Sequence, residues 1–205
     1  NGFHGVKPKL DECYNKKGPT IVFLVETAAP EVLPSLKEEI RSLFKIGNHS
    51  THINDTHSET TRIAEATFNE NTIHFMNNAK SSYFFHFNTL FSLFKNTILG
   101  HGLNPDDFCV TASSTLSAYG LREGRDLDYL HVDPEHAFVG HPEISSHNSE
   151  LGAYQHTKDN ILYNPSNHFY LQGIKFASLN VIDSLKRKRN EPKDAVDCKL
   201  ISSII

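Results

Sequence analysis

Asp126 and Asp128 are separated by one apolar residue, Leu127, and followed by the alternating run Tyr129, Leu130, His131, Val132. That alternation predicts a β-strand. Successive strand side chains point to opposite faces, so the two carboxylates share a face and lie side by side. Like charges that close repel unless a cation lies between them. A hard divalent ion is commonly held by one or two carboxylates together with substrate phosphates, which makes Asp126 and Asp128 candidate catalytic ligands for Mg²⁺ or Mn²⁺. Upstream lie a small polar turn, Ser113-Ser114, then Ser117, a Gly120 that permits a tight bend, and two cations, Arg122 and Arg125. Free backbone N–H groups leading into a helix suit a phosphate. Ser113, Ser114, Arg122 and Arg125 are therefore candidate phosphate-binding residues.

Taken together, Ser113-Ser114, Gly120-Leu121-Arg122 and Asp126-Leu127-Asp128 resemble the active-site signature of the nucleotidyltransferase superfamily related to DNA polymerase β. That signature is a Gly-Ser or Ser-Ser turn, a short helix, and a strand reading Asp-hydrophobic-Asp. The stretch SSTLSAYGLR is also similar to the matching segment of LicD-like phosphocholine transferases, a branch of the superfamily acting on surface glycans. The resemblance is concentrated in residues 111–133, and Ser113 stands where the family usually has Gly.

The resemblance implies a metal-dependent transferase using a nucleotide-activated donor. It also implies a third carboxylate on a neighbouring strand. Glu143, Glu150 and Asp159 are available, and Asp159, ahead of the strand-like Ile161-Leu162-Tyr163, is the choice. An acidic residue or a histidine such as His131 would take the acceptor's proton. Small members of the family end their core with a strand, a helix carrying Lys and Arg, and a Lys-Asp-x-x-Asp helix. Here that is residues 175–200, with Lys193-Asp194-Ala195-Val196-Asp197, and Pro192 is expected to separate a pair of helices. Lys186 and Arg189 would then lie near substrate phosphates; the alternative is a solvated basic helix with ordinary surface pairs.

Two other functions fit the same residues. A glycosyltransferase also uses a D-x-D pair to hold its ion on a nucleotide-sugar diphosphate, in keeping with surface-glycan synthesis. A catalytically inactive module would bind a nucleotide or a partner without turnover. The acceptor is a glycan, a small molecule or a protein.

Local patterning predicts the elements that must position these residues. Thr20–Val25 is an apolar run expected as a buried strand, and Pro30–Ile46 has helical spacing ending at Gly47. His49–Asn54 reads as a strand, and Thr56 with Glu59 forms a capping-box pattern before a helix over Thr60–Phe68. Asn54, Thr56 and Ser58, at that helix start, are candidate substrate-binding residues. His49, His52, Asp55 and His57 are metal-ligand types, but their spacing fits no strong zinc pattern. A Phe-rich helix is expected over Ser81–Leu99, with Phe84, Phe85, Phe87, Phe91 and Phe94 in the core.

The expected fold is α/β (α+β): a small mixed sheet with flanking helices. A βαβα unit over residues 1–100 would precede a nucleotidyltransferase-like core over residues 101–205, joined near Gly100–Asp107. With 205 residues the chain has enough apolar content for a sizeable core. Its net charge of −4 argues against non-specific nucleic-acid binding. No apolar stretch is long enough to span a bilayer, and no signal-peptide core is visible in the first twenty residues. Cys13, Cys109 and Cys198 are odd in number and widely spaced, as expected of reduced thiols in the cytoplasm. The chain begins at Asn1, as a piece of a larger protein would.

Overall fold

Strand formers flanked by turn residues build one sheet. Its strands are β1 (Phe108–Thr111), β2 (Leu127–His131), β3 (Ile144–Ser146), β4 (His168–Leu171) and β5 (Ile174–Ala177). The computed structural model describes residues 6–14, 20–44, 47–132, 138 and 141–205. The five strands are ordered β3-β2-β1-β5-β4. β1 runs antiparallel to β2 and parallel to β5, β2 runs parallel to β3, and β4 and β5 form an antiparallel hairpin. The hairpin turn is Gln172-Gly173, both at positive φ, which matches the twist of the flanking strands. The protein is thus mixed α/β with a single mixed sheet flanked by helices, the class expected.

Every residue of β1, β2 and β5 is buried, so both faces of the sheet are covered. Helix α5 (Phe85–Gly100) supplies Phe87, Leu90, Phe91, Phe94 and Ile98 to the core. Phe91 meets Phe176 at 5.3 Å between ring centroids, and Phe94 meets Tyr129 at 5.1 Å. Phe85 departs from expectation: as the first residue of the helix it is 73% exposed. Helix α4 (Glu70–Asn78) packs Phe75 on Phe169 at 4.7 Å. It also covers the open edge of β4. Asn69 Nδ2 donates to the His168 carbonyl at 3.1 Å, and the Tyr170 N–H donates to Thr72 Oγ1 at 3.0 Å.

Two further helices close the chain, α8 (Leu179–Arg189) and α9 (Pro192–Ser202), with Pro192 at the start of α9 as expected. Between β3 and β4 lies α7 (Lys158–Tyr163). There the strand expected over Ile161–Tyr163 is a helix, because Thr157 caps it, accepting the Asn160 N–H at 3.2 Å.

The chain divides into Asn1–Ala64 and Glu65–Ile205. The division falls well before Gly100 because α4 and α5 carry the aromatic residues that pack on the sheet. The first unit holds α1 (Val6–Cys13), α2 (Leu33–Phe44) and the start of α3 (His57–Thr67). Its expected βαβα character is corrected: among the described residues no strand precedes β1. Thr20–Val25 is irregular and exposed, Phe23 to 79%, since an apolar run gives a strand only where a partner strand bonds it. His49–Asn54 is likewise not a strand; a short 3-10 turn over Gly47–His49 leads into irregular backbone. The expected cap of α3 is present, with the Glu59 N–H donating to Thr56 Oγ1 at 3.2 Å. The Glu59 carboxylate returns to the Asp55 N–H at 3.0 Å, one residue earlier than a regular capping box. The helix expected over Pro30–Ile46 is α2, preceded by a 3-10 turn over Pro30–Val32, and Ile46 lies outside the described residues.

Candidate functional site: an acid pair at the end of the sheet

Antiparallel pairing of β1 with β2 sets Thr111 opposite Asp128. At that same end β1 turns into α6 (Ala112–Ala118) and α5 begins. Asp126 stands just ahead of β2, with its side chain half-buried. Asp128 is only 8% exposed. Burial pushes the Asp128 carboxyl above the ordinary carboxylate range, and the neighbouring Asp126 charge adds to the rise. His147, Ser145 and Lys186 pull the other way. Ser145 Oγ donates to Asp128 Oδ1 at 3.3 Å, and His147 Nε2 lies 3.8 Å from Oδ2. Behind His147, its Nδ1 bonds Tyr154 Oη at 2.9 Å, and Tyr154 Oη bonds Thr111 Oγ1 at 2.9 Å. Burial raises the Tyr154 phenol well above its usual range, so it stays protonated.

The turn before α6 is tight because Ala112 takes the left-handed conformation, φ 54°. The residue demanding this geometry is therefore Ala112, one before Ser113. Ser113 keeps its side chain partly exposed, whereas Ser114 is buried and donates through Oγ to the Asp126 carbonyl at 3.1 Å. Ser117 Oγ accepts the Gly124 N–H at 2.8 Å and lies 3.1 Å from the Arg122 carbonyl. These two hydroxyls pin the segment that carries Asp126. Ser114 thus serves Asp126, which leaves Ser113 as the partly exposed hydroxyl of the pair. Gly120 turns the same segment at φ +69°, and a Cβ there would meet the Lys80 carbonyl at 2.5 Å. On the outer side, Glu123 accepts the His86 N–H at 2.9 Å, capping α5, and His86 Nε2 donates to the Arg125 carbonyl at 2.8 Å.

The cations assigned to phosphate behave differently from expectation. Lys186 is withdrawn from solvent and ends between Asp194 (3.1 Å) and Asp197 (2.8 Å). Arg122 grips Asp197 through Nε and Nη2, the latter at 2.7 Å, and Arg189 grips Asp194 at 3.0 and 2.7 Å. Both carboxylates are buried, yet bonds from Arg189 and Lys186 hold Asp194 well below the usual carboxylate range. Bonds from Arg122 and Lys186 do the same for Asp197. The Lys-Asp-x-x-Asp segment is therefore the buried partner set for these cations, neither a phosphate clamp nor a set of surface pairs. Its Lys193 is the exception, meeting Glu191 at the surface. Arg125 is exposed.

Asp159 does not join the acids. It is exposed on α7, where neighbouring Lys158 reaches the Val132 carbonyl, beyond the opposite end of β2. The strand position facing Asp128 belongs to Ser145. Glu143, ahead of β3, meets His86 at 3.4 Å, and Glu150 is exposed on a 3-10 turn. His131 pairs with Phe108 at the far end of β2, its Nε2 3.0 Å from Ser146 Oγ. Asn54, Thr56 and Ser58 belong to the other unit, where Asn54 Nδ2 donates to Thr60 Oγ1 and Thr56 caps α3.

His147, Tyr154 and Ser145 were not foreseen. Ser145 and His147 reach Asp128 through β2–β3 pairing, a long-range register with no local sequence signal, and Tyr154 backs His147.

Among the described residues no group of three or more His, Cys, Asp or Glu is arranged to hold a metal ion. The two adjacent carboxylates fit a hard divalent cation all the same. Such an ion takes one or two protein carboxylates and fills its other positions with phosphate and water. It would also offset the burial, and the smaller repulsion by Asp126, that keep Asp128 hard to ionise. Comparison with protein-family models, curated proteins and solved structures found no match.

Proposed function

We propose that residues 65–205 carry a metal-dependent transferase of the nucleotidyltransferase type, using a nucleotide-activated donor. The observation that supports it is the union of an acid pair and a tight turn at one end of a mixed sheet: Asp126 and Asp128 beside the Thr111–Ser113 junction of β1 and α6. Asp126 and Asp128 would hold Mg²⁺ or Mn²⁺. When bound, the ion neutralises charge on the donor phosphates and the leaving group. Backbone groups of the turn and the Ser113 hydroxyl face the phosphates, and exposed Arg125 adds positive charge. Ser145 and His147 orient the Asp128 carboxylate. Arg122, Lys186 and Arg189 act one step back, through the buried network that holds α8, α9 and the segment before Asp126 together.

A second reading is favoured by Ser145. With a hydroxyl where a third carboxylate would stand, the site is equipped to hold a metal–diphosphate more clearly than to activate an acceptor. That suits a glycosyltransferase working on a nucleotide sugar, or a nucleotide-binding module without turnover. No described helix is long and apolar enough to cross a membrane. The odd number and wide spacing of Cys13, Cys109 and Cys198 are the basis for placing the protein in a reducing, cytoplasmic setting.

Calorimetry with Mn²⁺ and nucleoside triphosphates or nucleotide sugars tests the reading. Asp126→Ala and Asp128→Ala should abolish Mn²⁺-dependent binding, and unchanged affinity in both variants would sink it. Product analysis separates the chemistries. Pyrophosphate or a nucleotidylated acceptor marks the first, free nucleoside diphosphate the second, and binding without either product the inactive module.

A further inference from the structure

Residues 79–84 run in irregular backbone before α5, anchored at both ends on the segment that leads to Asp126. At one end the Lys80 N–H donates to the Tyr119 carbonyl at 2.9 Å, and the Lys80 carbonyl abuts Gly120. At the other, His86 holds the Arg125 carbonyl, and Glu123 caps the first turn of α5. Phe84 has extended backbone, φ −101° and ψ 103°, and packs against the core. In extended backbone the side chains on either side of a residue point the opposite way. Tyr83 and Phe85 accordingly turn outward, 74% and 73% exposed. Two large aromatic side chains thus stand in water. Phe85 is the neighbour of the histidine that grips Arg125, itself the neighbour of Asp126.

We infer that Tyr83 and Phe85 form a stacking platform for the base of the nucleotide whose phosphates meet Asp126 and Asp128. The inference rests on the metal–nucleotide reading above and adds the recognition of the base. Every nucleobase has an apolar π-face that stacks on an aromatic ring, and such stacking tolerates all four bases. The occupant is therefore a nucleoside di- or triphosphate, or a nucleotide sugar, with weak discrimination among bases. The geometry is consistent along the chain. α5 runs back from the acid-pair end before β1 returns to it, so the start of α5, the end of β1 and the start of β2 share that end.

The experiment compares ligands with and without a base. Titrations of Mn²⁺ with ATP, GTP, CTP and UTP, and of Mn²⁺ with inorganic tripolyphosphate, are run on the full chain and on Tyr83→Ala, Phe85→Ala and the double variant. Each single variant should weaken all four nucleotides roughly tenfold. Tripolyphosphate affinity should not change, and Phe85→Tyr should restore nucleotide binding. Nucleotide affinity that stays at the parent value would overturn the platform while leaving the acid-pair reading intact. Parallel loss of nucleotide and tripolyphosphate would also overturn it, assigning the aromatics to support of the Asp126 segment. A parent chain that binds neither ligand with Mn²⁺ removes the metal–nucleotide reading and the platform with it.

Discussion

Lys186 Nζ lies 2.8 Å from Asp197 Oδ2, with both side chains almost wholly withdrawn from water. Each charge was moved out of solvent at considerable cost, which is offset by the other and by the further partners Asp194 and Arg122. Asp197→Ala leaves buried Lys186 sharing Asp194 with Arg189 and frees the Arg122 fork. It should cost about 3–5 kcal/mol, the range for breaking a buried pair from one side. Lys186→Met should cost less, since Arg122 and Arg189 still neutralise both aspartates. Urea unfolding checks the order. Equal effects would mean that the lysine is as necessary to the network as Asp197, and that the two arginines do not compensate for its loss.

Acid should weaken the protein through the same residues. Asp194 and Asp197 are depressed in the folded state, while in the unfolded chain they titrate near the ordinary value of about 3.9. The stability they contribute is present above that value. As pH falls below about 4, the unfolded chain binds protons that the folded carboxylates refuse, so stability drops. Unfolding free energies measured from pH 5 to pH 3 should fall steeply for the parent and less steeply for Asp194→Asn.

Asp128 has the opposite sign. Its folded carboxyl is raised, so its contribution is full below the unfolded value and is lost as pH climbs through the folded one. Asp128→Asn removes that penalty at neutral pH. The variant should melt at a higher temperature than the parent at neutral pH, while losing Mn²⁺-dependent nucleotide binding. A destabilised Asn variant would show that the Ser145 hydrogen bond and the His147 charge contact outweigh the burial of charge.

Two turn residues should respond in opposite directions. Gly120→Ala places a Cβ 2.5 Å from the Lys80 carbonyl at φ +69°, and should cost about 1–3 kcal/mol. At Ala112 the left-handed backbone already costs about 1–2 kcal/mol. Ala112→Gly removes that strain, against about 0.5–1 kcal/mol of added chain entropy. The net should be a gain of about 0.5–1 kcal/mol by thermal unfolding.

The local grammar of the second unit was readable from residues alone. Asp-Leu-Asp-Tyr-Leu alternates as a strand must, Gly120 bends the chain, and Pro192 opens a helix. The Phe-rich helix was also legible, save that Phe85 falls outside its buried stripe. What failed were readings that needed a partner. Thr20–Val25 has strand composition but pairs with no strand among the described residues, and Ile161–Tyr163 follows a capping threonine that outranks its apolar run. The fate of Arg122, Lys186 and Arg189 could not be read either, because their carboxylates arrive from a helix packed across a turn. A basic helix looks the same in sequence whether its cations meet phosphate or buried aspartate.

Asn69 and Thr72 satisfy outward groups of β4 with side chains, at the His168 carbonyl and the Tyr170 N–H. A strand arriving from another chain would find those groups taken, so the sheet resists extension on that flank. Growth of the sheet, in a dimer or in an aggregate, is steered toward β3. There a newcomer would lie alongside Ser145, the residue that orients Asp128, so association by that route would be felt directly by the acid pair.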